Sequence, residues 1–80
     1  MYFVYIVRCA DDSLYTGITR DLERRVDEHN CNDQRGAAYT QSRRPVVLVY
    51  EEVCPTRSDA SKREHEIKQM SKQEKESLLL

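Results

Sequence analysis

The chain opens on an alternating run, "YFVYIVR" from Tyr2 to Arg8. Alternation puts Phe3, Tyr5, Val7 and then Cys9 on one face, and Tyr2, Val4, Ile6 and Arg8 on the other. The run is rich in β-branched and aromatic residues and is broken by "ADDS", a turn signal. The β-type composition then resumes in "LYTGI" and is expected to end at Gly17. The pattern predicts a β-hairpin.

The period then changes. Asp21 is placed as the N-cap of a helix predicted from about Leu22 to His29, on which Leu22 and Val26 form an apolar stripe. Arg25 and His29, also four apart, flank that stripe, while Glu23, Arg24 and Asp27 face water. From Cys31 to Pro45 runs a polar, arginine-bearing connection, longer than a typical loop and of the kind more often functional or mobile than structural. "PVVLVYEEV" reads as a strand whose unbroken apolar centre, Val46 to Tyr50, predicts burial on both faces and a place inside the sheet. Ser58 is expected to cap a second helix, roughly Asp59 to Met70, and "SKQE" from Ser71 has the Ser-x-x-Glu form of a capping box opening a short third. The order is β-β-α-β-α-α, an α+β pattern.

A chain of 80 residues closes only one core, so a single domain over residues 1–80 is expected. Its apolar share of 39% and charged share of 34% exclude the composition of a disordered segment. A net charge of −1 gives no global pull on nucleic acid, so charge has to be read locally. Between Gln34 and Tyr50 stand Arg35, Arg43 and Arg44 with no acidic residue, a basic arm on a neutral body. Three cysteines without a C-x-x-C pair argue against a disulfide framework and for free thiols in a reducing cytoplasm. Arg8 interrupts the first apolar run, which lacks the basic lead and cleavage site of a signal peptide, and Leu78 to Leu80 is too short to span a bilayer.

Chemistry enters with the second helix, where Ala60, Glu64 and Ile67 share one stripe. A carboxylate facing a core must be paired, hydrogen-bonded or bound to a metal. Glu64 is therefore either the partner of a nearby Arg or Lys at the stripe's edge or a ligand of Mg²⁺, which needs only one or two carboxylates and several waters. Arg25 is a snorkelling arginine, the ion-pair partner of Glu64, or a bidentate clamp on phosphate. His29 reads as a solvated helix-end histidine steadied by the helix dipole, with catalysis or zinc binding beside Cys31 as the sharper alternatives. Tyr5 and Tyr15 suit a sheet on their own. Together with Arg25 and Glu64 they also supply what phosphodiester hydrolysis requires: a metal ligand, a cation on the phosphate, and groups to activate water and protonate the leaving oxygen.

At these residues the chain resembles the GIY-YIG endonucleases. "VYI" with Tyr5 stands where that family has Gly-Ile-Tyr, and "YTG" with Tyr15 and Gly17 where it has Tyr-Ile-Gly. The tyrosine spacing, "TRDLERR" ending at Arg25, and "ASKREHEIK" around Glu64 match the family's signature, and the predicted element order is the family's own. "VYI" lacks the first motif's glycine, with Val4 preceding Tyr5 by one place, and Ile18 stands where some repair members carry lysine. The likeness is greatest to the small single-domain bacterial members, through His29-Asn30, Ala38-Tyr39-Thr40 and the stretch Arg43 to Glu52.

The resemblance implies a small three-stranded antiparallel sheet flanked by helices. It implies Tyr5 and Tyr15 as motif tyrosines, Arg25 as the phosphate-binding arginine, Glu64 as ligand of one divalent ion (Mg²⁺, with Mn²⁺ an alternative), His29 as an auxiliary group and Gly17 as a point of close backbone approach. Tyr5 is expected to be the base and Tyr15 to orient water or phosphate, with exchange of those roles open. A tyrosine base, with an ordinary pKa of about 10, needs a cation beside its ionised form. The expected partner is DNA, single-stranded or branched, RNA being the alternative. Tyr39 is expected to stack a base while Arg35, Arg43 and Arg44 track the backbone, against a plain solvated loop. A non-catalytic nucleic-acid or protein-binding module on the same fold is the rival, and a structural domain with Glu64 and Arg25 as a buried ion pair is a third reading. A protein partner for targeting is compatible with all three.

Overall fold

The structure is a computed structural model that describes residues 1–31 and 34–79; positions 32 and 33 of the connection and Leu80 of the tail lie outside the described residues. The predicted hairpin forms as β1 (Tyr2–Arg8) and β2 (Leu14–Thr19). Its turn is closed by Cys9 N–H on the Ser13 carbonyl at 2.8 Å and Asp12 N–H on the Cys9 carbonyl at 2.9 Å. Asp12 takes a left-handed φ of 70°, a conformation that aspartate tolerates better than most residues. The ladder runs past Gly17 to Thr19 because Ile18 and Thr19 still find partners in Val4 and Phe3, so glycine does not end the strand.

Helix α1 spans Leu22–Cys31. Asp21 caps it as expected, its carboxylate accepting from Arg24 N–H at 3.2 Å. The connection carries one turn of helix that periodicity did not predict, α2 (Ala38–Gln41). Strand β3 (Val47–Cys54) pairs antiparallel with β1, and the strand order is β2-β1-β3. This corrects the placing of "PVVLV" inside the sheet. The centre belongs to β1, while β3 is an edge strand whose Val47 and Val53 are exposed. The apolar run is long because the register slips between Ile6, paired with Tyr50, and Val7, paired with Leu48: Val49 is the extra residue, so the neighbours Val49 and Tyr50 both pack on the Val4–Ile6 core while Leu48 packs with Val7 on the other.

Two layers of helix cover the sheet. Val4 and Ile6 pack with Leu14, Cys54, Ala60 and Ile67 under α3 (Arg57–Lys68) and α4 (Lys72–Leu78). Tyr5, Val7, Cys9 and Val46 pack on the opposite face with Leu22 and Val26 of α1. Helix α3 is capped by Thr56 rather than Ser58: the Thr56 hydroxyl accepts from Asp59 N–H at 3.1 Å, starting the helix two residues earlier than expected. The Ser71–Glu74 capping box is present in both directions. The result is an α+β fold with a three-stranded antiparallel sheet between helices.

Candidate active site

The hairpin places Tyr5 directly opposite Gly17, and Val7 opposite Tyr15, so both tyrosines project from the α1 face of the sheet. Tyr5 is buried at 1% exposure, and its ring fills the space over Gly17. The close approach that glycine permits is made by the chain's own phenol.

The phenol is held from two sides. Arg25 Nε–H donates to Tyr5 Oη at 3.4 Å, and Tyr5 Oη lies 2.8 Å from His29 Nε2. His29 is fully buried, which corrects its reading as a solvated helix end. Its other nitrogen, Nδ1, lies 3.0 Å from the Thr40 hydroxyl, which itself donates to the Ala37 carbonyl at 2.9 Å. With both ring nitrogens engaged, and with Cys31 exposed to solvent, the pairing of His29 and Cys31 around zinc does not occur.

Burial sets the protonation states. It pushes the Tyr5 phenol up to about 12, opposed by its bond to Arg25 and reinforced by the nearby charges of Tyr15 and Glu64. It pulls the His29 imidazole down to about 4, with the positive charge of Arg25 adding to the effect. The pair therefore rests as neutral phenol and neutral imidazole.

Arg25 is only partly exposed and donates through Nη1 to Glu28 at 3.1 Å and to the Arg35 carbonyl at 2.6 Å. Its bond holds the Glu28 carboxyl below the usual carboxylate range. Arg25 is thus not the ion-pair partner of Glu64. Glu64 stands at the edge of the α3 stripe, its side chain 24% exposed, with Lys68 Nζ at 3.3 Å from Oε2. The stripe's centre is held by Ala60 and Ile67, so among the described residues no carboxylate is buried in that core. Lys68 Nζ also lies 5.9 Å from the centroid of the Tyr15 ring, which brings the α3 layer to the tyrosine face of the hairpin.

Tyr15, half-buried, meets His29 edge-on with centroids 5.4 Å apart and stacks on Tyr39 at 5.7 Å. Tyr39 in turn carries the Arg43 guanidinium 4.0 Å from its centroid. Arg43 also pairs with Asp11 at 3.1 Å, and Arg44 Nε donates to the His29 carbonyl at 2.6 Å. These arginines strap the connection to the body. Arg35 contributes its carbonyl to Arg25. Asn30 completes the strap by bonding Val46 in both directions, Nδ2–H to its carbonyl at 3.1 Å and Oδ1 from its N–H at 2.7 Å.

Tyr5, Tyr15, Arg25 and His29 therefore form one contact group, with Tyr39 and Arg43 on its rim and Glu64 within electrostatic reach. Lys68, Glu28 and Thr40 escaped residue-by-residue reading, although Thr40 lay in the quoted Ala38-Tyr39-Thr40 stretch. Among the described residues no three His, Cys, Asp or Glu side chains converge on a metal position. One partly exposed carboxylate within electrostatic reach of a phenol suits a hard, largely water-bound cation and not a four-ligand zinc site.

A family model described as GIY-YIG catalytic domain matches residues 1–77. The UPF0213 protein DP2720 of Desulfotalea psychrophila is 59% identical over 98% of this chain and 70% of its own length. The UPF0213 protein HQ_3675A of Haloquadratum walsbyi is 54% identical over 96% of this chain and 84% of its own. Among solved structures, the solution NMR structure of the UPF0213 protein BH0048 from Bacillus halodurans superposes with a TM-score of 0.62 at 40% identity, covering 99% of this chain and 83% of that one.

Proposed function

The chain belongs to the GIY-YIG family, and from that premise we propose that it is a metal-dependent endonuclease hydrolysing phosphodiesters in DNA, single-stranded or branched, in cytoplasmic repair or recombination. The observation that carries this reading is the bonded group Arg25–Tyr5–His29 beside Tyr15 on one face of the hairpin.

Tyr5 takes the proton of the attacking water as its own proton passes to His29 Nε2 at 2.8 Å, so the phenolate need not accumulate. A phenol pushed up to about 12 is scarcely ionised at rest, so its proton leaves only in concert with the arrival of the water proton. Tyr15, the more exposed of the two, orients water or phosphate. Arg25, already within reach of the phenol, neutralises charge building on the phosphate. Glu64 releases Lys68 to hold the divalent ion, Mg²⁺ or Mn²⁺. When bound, that ion supplies Lewis-acid stabilisation at the leaving oxygen. Arg35, Arg43, Arg44 and Tyr39 border the path of the strand.

The burial of Tyr5 and His29 and the Glu64–Lys68 pair also favour a second reading, a non-catalytic nucleic-acid or protein-binding module. One experiment separates the two. Labelled single-stranded, flapped and duplex DNA are incubated with the wild type and Glu64→Ala, in Mg²⁺, in Mn²⁺ and in chelator. Metal-dependent cutting lost in the variant supports the nuclease; binding without cutting moves the assignment to the module. The variant should stay folded, because a partly exposed i,i+4 pair contributes only about 0.5 kcal/mol.

A further inference from the structure

We propose that Thr40 is a positioning residue that fixes the imidazole of His29 as the Nδ1–H tautomer and so presents the lone pair of Nε2 to the proton of Tyr5. The inference deepens the nuclease reading and rests on it for its catalytic consequence, though not for its geometry.

The hydrogen bonds around His29 can be ordered by which groups have a proton to give. Arg25 Nε carries hydrogen and no lone pair, so Tyr5 Oη accepts there at 3.4 Å, and its own proton is left for His29 Nε2 at 2.8 Å. At the far end the Ala37 carbonyl can only accept, so the proton of Thr40 Oγ1 goes to it at 2.9 Å. The Thr40 oxygen then receives from His29 Nδ1–H at 3.0 Å. Every donor from Arg25 to Ala37 points the same way. One contact asks for the opposite tautomer, Ala37 N–H to Nδ1, and at 3.5 Å it is the longest of the set.

Sequence and fold explain how a short loop achieves this. Thr40 is fully buried although it belongs to a four-residue helix whose neighbours Tyr39 and Gln41 are exposed. Its backbone N–H bonds the Ala37 carbonyl at 3.0 Å, the same oxygen that takes its side-chain proton. The turn of α2 thus turns the hydroxyl inward to His29 and Tyr39 outward to Tyr15. A histidine held as the other tautomer would donate to a phenol oxygen that already accepts from Arg25, and the relay would have no acceptor.

The test compares the wild type with Thr40→Val, which keeps the shape without the hydroxyl, and Thr40→Ser, which keeps the hydroxyl. The imidazole nitrogens of His29 are read by two-bond ¹H–¹⁵N correlation at neutral pH, and cleavage of single-stranded DNA is followed in Mg²⁺. The expected result is Nδ1–H in the wild type and Thr40→Ser, and a shift toward Nε2–H in Thr40→Val. In that variant kcat should fall by about a hundredfold, KM should hold, and serine should restore the rate. A wild type already in the Nε2–H form overturns the proposal, even if the valine variant does not fold. So does a valine variant with unchanged tautomer and rate. A wild type that shows Nδ1–H yet cuts no DNA leaves the positioning role standing and removes the nuclease reading instead.

Discussion

A methyl group built on Gly17 would sit 2.5 Å from the phenolic oxygen of Tyr5 and 2.7 Å from its Cζ, the two residues being direct partners across the hairpin. The ring is rigid and buried, so neither it nor the strand can give way without disturbing the bond to His29. Gly17→Ala should cost about 1–3 kcal/mol in urea unfolding and should depress cleavage beyond any loss of folded protein. An unchanged midpoint with an unchanged rate would show that the ladder absorbs the methyl group.

Arg25 combines a charge with a fork that reaches Tyr5, Glu28 and the Arg35 carbonyl at once. Arg25→Ala should lower the rate of cleavage by at least about two decades. Lysine restores the charge but not the fork, so Arg25→Lys should recover only part of the loss. Single-turnover rates of the three proteins decide the matter, and full recovery with lysine would reduce the role of Arg25 to its charge.

His29 should make the protein acid-sensitive. Its ordinary pKa of 6.5 is lowered to about 4 in the fold, so the unfolded chain binds the proton first. The stability owed to the neutral ring is whole above pH 6.5 and is lost as pH falls from there through about 4. Urea midpoints across that window should decline less steeply in His29→Gln than in the wild type, and parallel declines would mean that other groups carry the acid limb.

Tyr39 touches both Tyr15 and Arg43, so it joins the basic rim to the aromatic pair. Tyr39→Ala should weaken single-strand binding roughly tenfold if a base uses that stack. Fluorescence anisotropy with a labelled oligonucleotide measures it, and unaltered affinity would return the segment to a solvated loop.

Arg8 grips Glu76 through two hydrogen bonds, 2.9 and 2.6 Å, and Lys72 and Asp12 extend the cluster from α4 to the hairpin turn. Glu76→Ala should speed hydrogen exchange in α4 while β1 stays protected, with a smaller difference at high salt. Equal acceleration in both elements would show that α4 is not a separable layer.

The hairpin, the α1 cap and the Ser71 capping box were legible because each is set within a few residues. The errors lie where distant segments decide. Whether "PVVLV" is central or at the edge depends on which strand pairs twice, and β1 does. Periodicity placed Glu64 on the α3 stripe but could not separate the stripe's centre from its margin, where Lys68 meets it. Thr56 and Ser58 are both competent caps two residues apart, and the packing of Ala60 and Ile67 chose between them. His29 looked solvated because the segment that buries it, Ala37 to Arg44, belongs to the connection, whose polar composition does not show that it folds back over the helix end.

The pairing of Val7 with Tyr15 makes the length of the Cys9–Ser13 turn a gauge for the chemistry. Sliding β2 by one residue to absorb an inserted or deleted position would carry Tyr15 through the sheet to the α3 side and take Gly17 from beneath the Tyr5 ring. Sliding by two would restore the side but not the partner. Changes of length in this turn are therefore compatible with the tyrosine pair only when they bulge outward and leave its span constant.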